Sequence, residues 1–306
     1  MPLLLSALFT AIPTWLYARH VRGIDRFEKE PAKYLIAAFL WGAIPAAFLA
    51  LVSQLILTVP TEVLAGEENA SLVTVIAYAP ITEELFKGLA VAIIYLWRKR
   101  EFDGWIDGIV YGSTVGFGFA FVENVLYLAQ TSALLEWLGL FFLRVIVLGY
   151  MHGFYTSFIG IGFGLARNAH SNARKLMFIF AGFIVAMLTH AIHNASVTLI
   201  NTMGIGMLLG GLLNYAALIV LMISLRRMGL RHARQMFKTY LVDETPEVIS
   251  RQGYEALVTG KARQSSTLHQ LAGELAERKR QMIRHGETAQ LAEIDALRAK
   301  LREFHV

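Results

Sequence analysis

The chain has 306 residues, 56% of them hydrophobic and only 17% charged, with no cysteine and a formal net charge of +5. Such a composition excludes an intrinsically disordered chain and argues against a water-soluble globule. The lack of cysteine excludes a disulfide framework, a Cys-ligated zinc and a cysteine nucleophile.

Charge is sorted along the chain. Residues 226–306 hold 15 Lys/Arg and 10 Asp/Glu, whereas residues 1–225 hold 13 of each. No basic patch is interleaved with aromatics, so a nucleic-acid partner is not expected. A transmembrane helix needs about 20 apolar residues. Met1–Ala18 is uncharged up to Arg19, lacks a basic leader, and reads as an N-out anchor rather than a signal peptide. Tyr34–Thr61 is an uncharged run of 28 residues. Leu72–Trp97 is apolar apart from Glu83, Glu84 and Lys87, and Trp105–Ala129 apart from Asp107 and Glu123. Ala133–Leu143 reads as an interfacial or re-entrant segment, or an extension of the next span, with Arg144 near the outer boundary. Val145–Ala166 is an uncharged run of 22, and Leu176–Leu225 one of 50, enough for two spans broken near Asn201–Gly204.

These runs predict an all-α, polytopic membrane bundle of about seven transmembrane helices over residues 1–225. Basic connectors follow the first, third, fifth and seventh spans, which predicts an outside N-terminus and a cytoplasmic C-terminus. Residues 226–306 form a cytoplasmic helical tail. Thr245-Pro246-Glu247 has the pattern of a helix start. Leu268, Leu271, Leu275 and Met282, then Leu291, Ile294, Leu297 and Leu301 after His285-Gly286, are spaced for a small helical hairpin or a short coiled-coil element. That element either packs on itself or receives a cytoplasmic partner.

An ionisable group inside a bilayer costs about 2.5–3.5 kcal/mol and is a functional hypothesis by default. At about 1.5 Å per residue from the span midpoints, Glu83/Glu84, Glu123, His152 and His190/Asn194 fall in one layer toward the outer face. Glu83 and Glu84 point about 100° apart on a helix, and Lys87 can pair with either. His190 and Asn194 share a face; His193 does not. Gly104, Gly108, Gly112 and Gly116 recur every four residues, a packing face without chemistry. Asp103 and Asp107 suit capping of a helix N-terminus.

Carboxylates and imidazoles in a low-dielectric pocket suit hydrolysis. One of Glu83/Glu84 would act as general base on water, with Lys87 supporting its charge. Asn194 and an imidazole would donate to the oxyanion. His152, His190 and Glu123 form a candidate zinc set. No HExxH, GxSxG or Walker A pattern is present, so no nucleotide or organic cofactor is expected.

Glu83-Glu84-Leu-Phe-Lys87 resembles the EExxK motif of the PrsW-type intramembrane proteases. Phe119-Ala-Phe-Val-Glu123-Asn124 is similar to their FxxxEN motif, preceded by Asp107-Gly-Ile-Val-Tyr111-Gly. Met151-His152-Gly-Phe-Tyr-Thr156 resembles their single-His helix and His190-Ala-Ile-His-Asn194 their HxxxN motif. The blocks occur in the family's order over roughly residues 72–200. The resemblance implies a multi-pass peptidase of the bacterial cytoplasmic membrane that cleaves membrane-anchored proteins. It implies Glu83, Glu84, Glu123, His152 and His190 as the site, with Asn194, Lys87 and Asn124 in support. It also implies distant kinship with the CAAX-prenyl endopeptidase superfamily, whose second motif has His where this chain has Glu123. Zinc-assisted and glutamate-activated water both remain open on the residues. Two other readings compete: a proton-coupled transporter or channel using the same Glu/His groups, and a non-catalytic membrane scaffold or sensor.

Overall fold

The computed structural model describes residues 3–24, 30–99, 101–199, 205–262, 267–285 and 290–303. The expected breaks at Asn201–Gly204 and at Gly286 lie outside them. Every regular element among the described residues is helical. The chain divides into two compact units, Met1–Gly23 with Glu30–Ile219, and Ile24–Lys29 with Val220–Val306.

The first unit contains α1 (Leu3–Arg22), α2 (Ala32–Trp41), α3 (Ala47–Ala65), α4 (Glu67–Val73), α5 (Ala79–Trp97), α6 (Trp105–Ala129), α7 (Leu134–Leu140), α8 (Met151–Arg167) and α9 (Asn172–Thr198). Wider π-helical turns join α2 to α3 (Gly42–Ala46) and α4 to α5 (Thr74–Tyr78), and extend α7 (Phe141–Val147). Four stretches are long and apolar enough to cross a membrane: Ala32–Ala65, Trp105–Ala129, Leu134–Arg167 and Asn172–Thr198. The expected first and third spans are helical but are not among these four, α5 carrying Glu83, Glu84 and Lys87 in its first half. Leu209–Leu221 is a shorter apolar helix.

The polarity of this unit is inverted. Leu51, Leu55 and Ile56 of α3 and Phe180, Ile184 and Leu188 of α9 are exposed, while Glu84 and Lys87 are wholly buried. Apolar surface outside and charge inside is the arrangement expected of a protein solvated by lipid. At the centre lies α6, buried from Asp107 to Ala120. Its four-residue glycine repeat explains how. A Cβ on Gly112 would fall 2.5 Å from the Thr156 carbonyl oxygen, and Cβ atoms on Gly108 and Gly116 would collide with the carbonyls of Gly160 and His152. Backbones of α6 and α8 therefore touch directly, as small residues allow. Because His152 is one of those contact points, the register of α6 against α8 also sets the height of the His152 ring. Asp107 caps α6 as expected: its carboxylate accepts from the Asp103 and Gly104 amides at 2.8 and 2.7 Å.

A long helix, α10 (Ile205–Tyr240), runs through the division between units. In the second unit α11 (Arg251–Thr259), α12 (Thr267–His285) and α13 (Leu291–Glu303) follow. The expected leucine faces meet except at Leu291, which is exposed: Leu275, Ile294, Leu297 and Leu301 are buried and Leu268, Leu271 and Met282 pack against them. Ala233, Met236 and Phe237 of α10, with Leu241 just after it, complete this core. The expected helix start at Thr245-Pro246-Glu247 is corrected. Those residues form a turn and the helix begins at Arg251, with the Ser250 hydroxyl accepting from the Gly253 amide at 3.1 Å. Val248 and Ile249 are buried in the core. Ser is a strong N-cap residue, which fixes the helix start after Ser250.

Candidate active site

Four helices bring the predicted groups together. On α5, Glu83, Glu84 and Lys87 lie within one turn of each other and are buried. The Lys87 ammonium donates to Glu84 Oε1 at 2.7 Å and to Glu83 Oε2 at 3.3 Å, the intrahelical pairing its spacing predicts. It also reaches α8, 3.0 Å from His152 Nδ1, and lies 4.0 Å from the Phe119 ring centroid. Since an ammonium only donates, Nδ1 of His152 accepts here. Its Nε2 then carries the proton, donated to Glu123 Oε2 on α6 at 2.8 Å.

His190 of α9 has the reverse arrangement. Its Nδ1 donates to Glu84 Oε1 at 3.1 Å, leaving Nε2 as the lone-pair nitrogen. That atom lies 3.9 Å from Glu83 Oε2, and His152 Nδ1 lies 4.0 Å from the same oxygen. Tyr155 stacks on the His190 ring with centroids 4.7 Å apart and planes 14° from parallel, which limits rotation of the imidazole.

The two neighbouring glutamates are therefore not equivalent. Glu84 is saturated: Oε1 meets Lys87 and His190, and Oε2 accepts from Thr156 at 2.9 Å. Glu83 is loosely held, by Lys87 and by a 3.4 Å contact from Gln54 of α3. One carboxylate orients its surroundings and the other faces the space between two imidazoles.

Glu83, His152 and His190 each offer one donor atom, all within 4.8 Å of one another. Two neutral imidazole nitrogens and a carboxylate match a catalytic divalent-cation site with an open position. Each imidazole has a carboxylate behind its other nitrogen, Glu123 for His152 and Glu84 for His190, the usual outer support of a metal-binding histidine. The donor set fits such an ion once the Lys87 ammonium, which donates to His152 Nδ1 at 3.0 Å and to Glu83 Oε2 at 3.3 Å, turns away from those two atoms. It differs from the expected one in a single member, Glu83 taking the place of Glu123, because Glu123 is engaged on the far side of the His152 ring.

Asn194 does not join the cluster. Its side-chain amide donates to the Val75 carbonyl at 2.9 Å. The reason lies in the turn Thr74–Tyr78. There the Ala79 amide bonds back to the Thr74 carbonyl, so the next amide in that pattern, to Val75, would come from residue 80. Residue 80 is proline and has no N–H. Asn194 supplies the missing donor, as a backbone acceptor in an apolar setting requires. Asn124, expected in support, accepts from Arg144 Nε at 3.3 Å. His193 lies off the cluster, its ring 6.1 Å from Tyr155.

Thr156, Gln54 and Arg144 were not singled out as site residues. Thr156 stands one turn from His152 on α8, and Gln54 is a carboxamide within an uncharged run, so both carried a polarity signal. Arg144 carried the strongest, an isolated cation in apolar sequence.

Comparison with known proteins agrees with the motif resemblance. Residues 30–225 match the model of the PrsW family of intramembrane metalloproteases. A protease PrsW of Oceanobacillus iheyensis is 30% identical over 167 residues, 54% of this chain and 70% of that one. One from Geobacillus kaustophilus is 28% identical over 56% of this chain and 69% of its own. One from Bacillus subtilis is 25% identical over 57% and 74% respectively. No solved structure matches. This homology supports a protease function at a membrane, and the chain belongs to the PrsW family.

Proposed function

We propose that this protein is an intramembrane endopeptidase that hydrolyses peptide bonds of membrane-anchored proteins at the Glu83/His152/His190 face. The observation that carries this reading is the convergence of three donor atoms within 4.8 Å, on helices whose outer surfaces are apolar. Such a face holds a water between a carboxylate and two oriented imidazoles. A zinc or similar divalent ion held by Glu83, His152 and His190 would polarise the scissile carbonyl and make its bound water acidic. In a metal-free pocket the same geometry gives the water's proton to Glu83. Either way Glu84 fixes His190 through Nδ1–H and Glu123 fixes His152 through Nε2–H. The Lys87 ammonium takes the place beside the developing oxyanion that the sequence suggested for the Asn194 amide.

The family membership and the basic connectors support a multi-pass bundle of about seven spans in the bacterial cytoplasmic membrane. Its N-terminus would be outside, residues 226–306 would lie in the cytoplasm, and the site would be in the outer half of the bilayer. The cut then falls nearer the outer face of the substrate's span.

The test is cleavage of a single-span substrate in proteoliposomes, with the product end mapped and the metal content of the purified protein measured. Glu83→Gln, His152→Ala and His190→Ala should each abolish turnover, and the two histidine variants should lose any bound zinc. Full activity in all three overturns the proposal. A cut on the cytoplasmic side overturns the assigned depth, and a metal-free active protein selects Glu83 as proton acceptor.

A further inference from the structure

Arg144 stands alone among apolar side chains: Phe142, Leu143, Ile146 and Val147 of the same π-helical turn are all exposed. A cation in such a segment is costly unless paired, and widened helical turns of this kind recur at functional sites. Its guanidinium is gripped at three points along α6. The terminal nitrogen lies 3.1 Å from Glu123 Oε2, Nε donates to Asn124 Oδ1 at 3.3 Å, and the guanidinium carbon lies 3.7 Å from the Tyr127 ring centroid. Glu123 Oε2 is the same oxygen that accepts from His152 Nε2 at 2.8 Å. A line of contacts thus runs from Arg144 through Glu123 to His152, whose opposite nitrogen belongs to the donor face.

We propose that Arg144 is a positioning residue that holds the Glu123 carboxylate against His152 Nε2–H and so keeps His152 Nδ1 turned to the donor face. This rests on the reading of Glu83, His152 and His190 as that face. Glu123 and Arg144 are each a quarter exposed in their side chains, so the pair forms the open edge of an otherwise buried cluster. Without Arg144, one ring N–H is the only described polar contact holding Glu123 there. The contact to Asn124 and the stack on Tyr127 fix the guanidinium plane, which gives Arg144 directional control that a bare charge lacks.

The test uses the full-length protein with Arg144→Gln, Arg144→Lys, Glu123→Gln and the Arg144→Gln/Glu123→Gln double variant. Zinc affinity is read by competition with a chromophoric chelator, and kcat and KM are read separately on one single-span substrate. Arg144→Gln should lower zinc affinity and kcat, each by about 10–100-fold, the usual effect of losing an outer support, with KM unchanged. Arg144→Lys should recover only part of both, because an ammonium still meets Glu123 but lacks the plane fixed by Asn124 and Tyr127. The double variant should match Glu123→Gln, since Arg144 acts through that carboxylate. If Arg144→Gln does not fold, Arg144→Lys in the Glu123→Gln background replaces it, and should add nothing. Unchanged affinity and kcat in Arg144→Gln, or equal losses with and without Glu123, overturn the inference and leave the peptidase reading intact. A wild-type protein with neither turnover nor bound zinc overturns both.

Discussion

Two buried ionic clusters in this chain use similar residues to different ends. In the first unit Lys87 meets Glu83 and Glu84; in the second Lys279 and Arg298 meet Glu244. Around Glu244 the cations are well matched, with Lys279 Nζ at 2.8 Å and the Arg298 terminal nitrogen at 2.7 Å from the same oxygen. Lys279 also holds Asp243 at 2.6 Å. Nothing there lacks a partner that a substrate could supply, and the cluster ties α12 and α13 to the turn after α10. Around Lys87 the balance differs: two imidazoles are added, and Glu83 stays 3.9–4.0 Å from both rings. A buried carboxylate held this loosely is poor structural glue and a good candidate ligand or base. Burial and charge thus fail to separate a working site from a brace; the degree of mutual satisfaction does.

The largest effect that would break this contrast is on turnover. Glu83→Gln should lower kcat by about 10²–10⁴-fold, the range for losing a proton acceptor, with the thermal stability of the second unit unchanged. Glu244→Ala should do the opposite. It removes the buried partner of two cations and should destabilise the second unit by about 2 kcal/mol, below the range for a fully broken buried pair, because Lys279 keeps Asp243 and Arg298 keeps Asp295. Amide hydrogen exchange over residues 233–303 of the full chain measures this, and equal protection in wild type and variant would remove the distinction. Next in size is Gly112→Val, which puts a branched side chain onto the Thr156 carbonyl and should cost about 1–3 kcal/mol by overpacking. Because α8 carries His152, activity should fall with stability in this variant, which a tail substitution does not do.

A smaller effect sharpens the assignment of Asn194. As the donor that satisfies Val75, its replacement by Ala should cost about 1 kcal/mol, typical of a polar contact between membrane helices, with only a slight loss of kcat. An oxyanion donor would instead cost about 10²–10³-fold in kcat. The smallest effect is a pH dependence of the second unit. Burial alone would raise the Glu244 pKa, but hydrogen bonds from Arg298 and Lys279 outweigh it and hold the carboxyl below its ordinary range. The stabilisation from a depressed carboxyl is complete above the unfolded-state pKa and is lost as pH falls through the folded value. Protection of residues 233–303 should therefore hold at neutral pH and fall on acidification below the ordinary carboxylate range. In Glu244→Gln this acid sensitivity should be reduced.

Much of the site was legible in the residues because hydrocarbon penalises charge. Glu83, Glu84, Lys87, Glu123, His152 and His190 stood out in apolar runs, and the structure brings all six together. Their roles were not legible. The zinc set expected from residue type contained Glu123, whereas the three candidate donor atoms that lie within 4.8 Å of one another include one of Glu83, since which side of an imidazole meets which carboxylate depends on helix rotation. The helix-start pattern at Thr245 is followed by a turn, and α11 begins at Arg251 behind the Ser250 cap. Asn194 shared a face with His190, yet its partner was set by a proline on another helix.

By itself the amino-acid order determined that the chain is helical and apolar, which charges it tolerates in that setting, and that glycine recurs every four residues along α6. Those properties are local, following from composition, period and the cost of moving a charge into lipid. Only the tertiary structure decided that Glu84 is saturated, that Glu83 faces two imidazoles and that Arg144 reaches Glu123. These depend on ångström-scale register between helices, which backbone contact at Gly108, Gly112 and Gly116 enforces and which no single segment encodes.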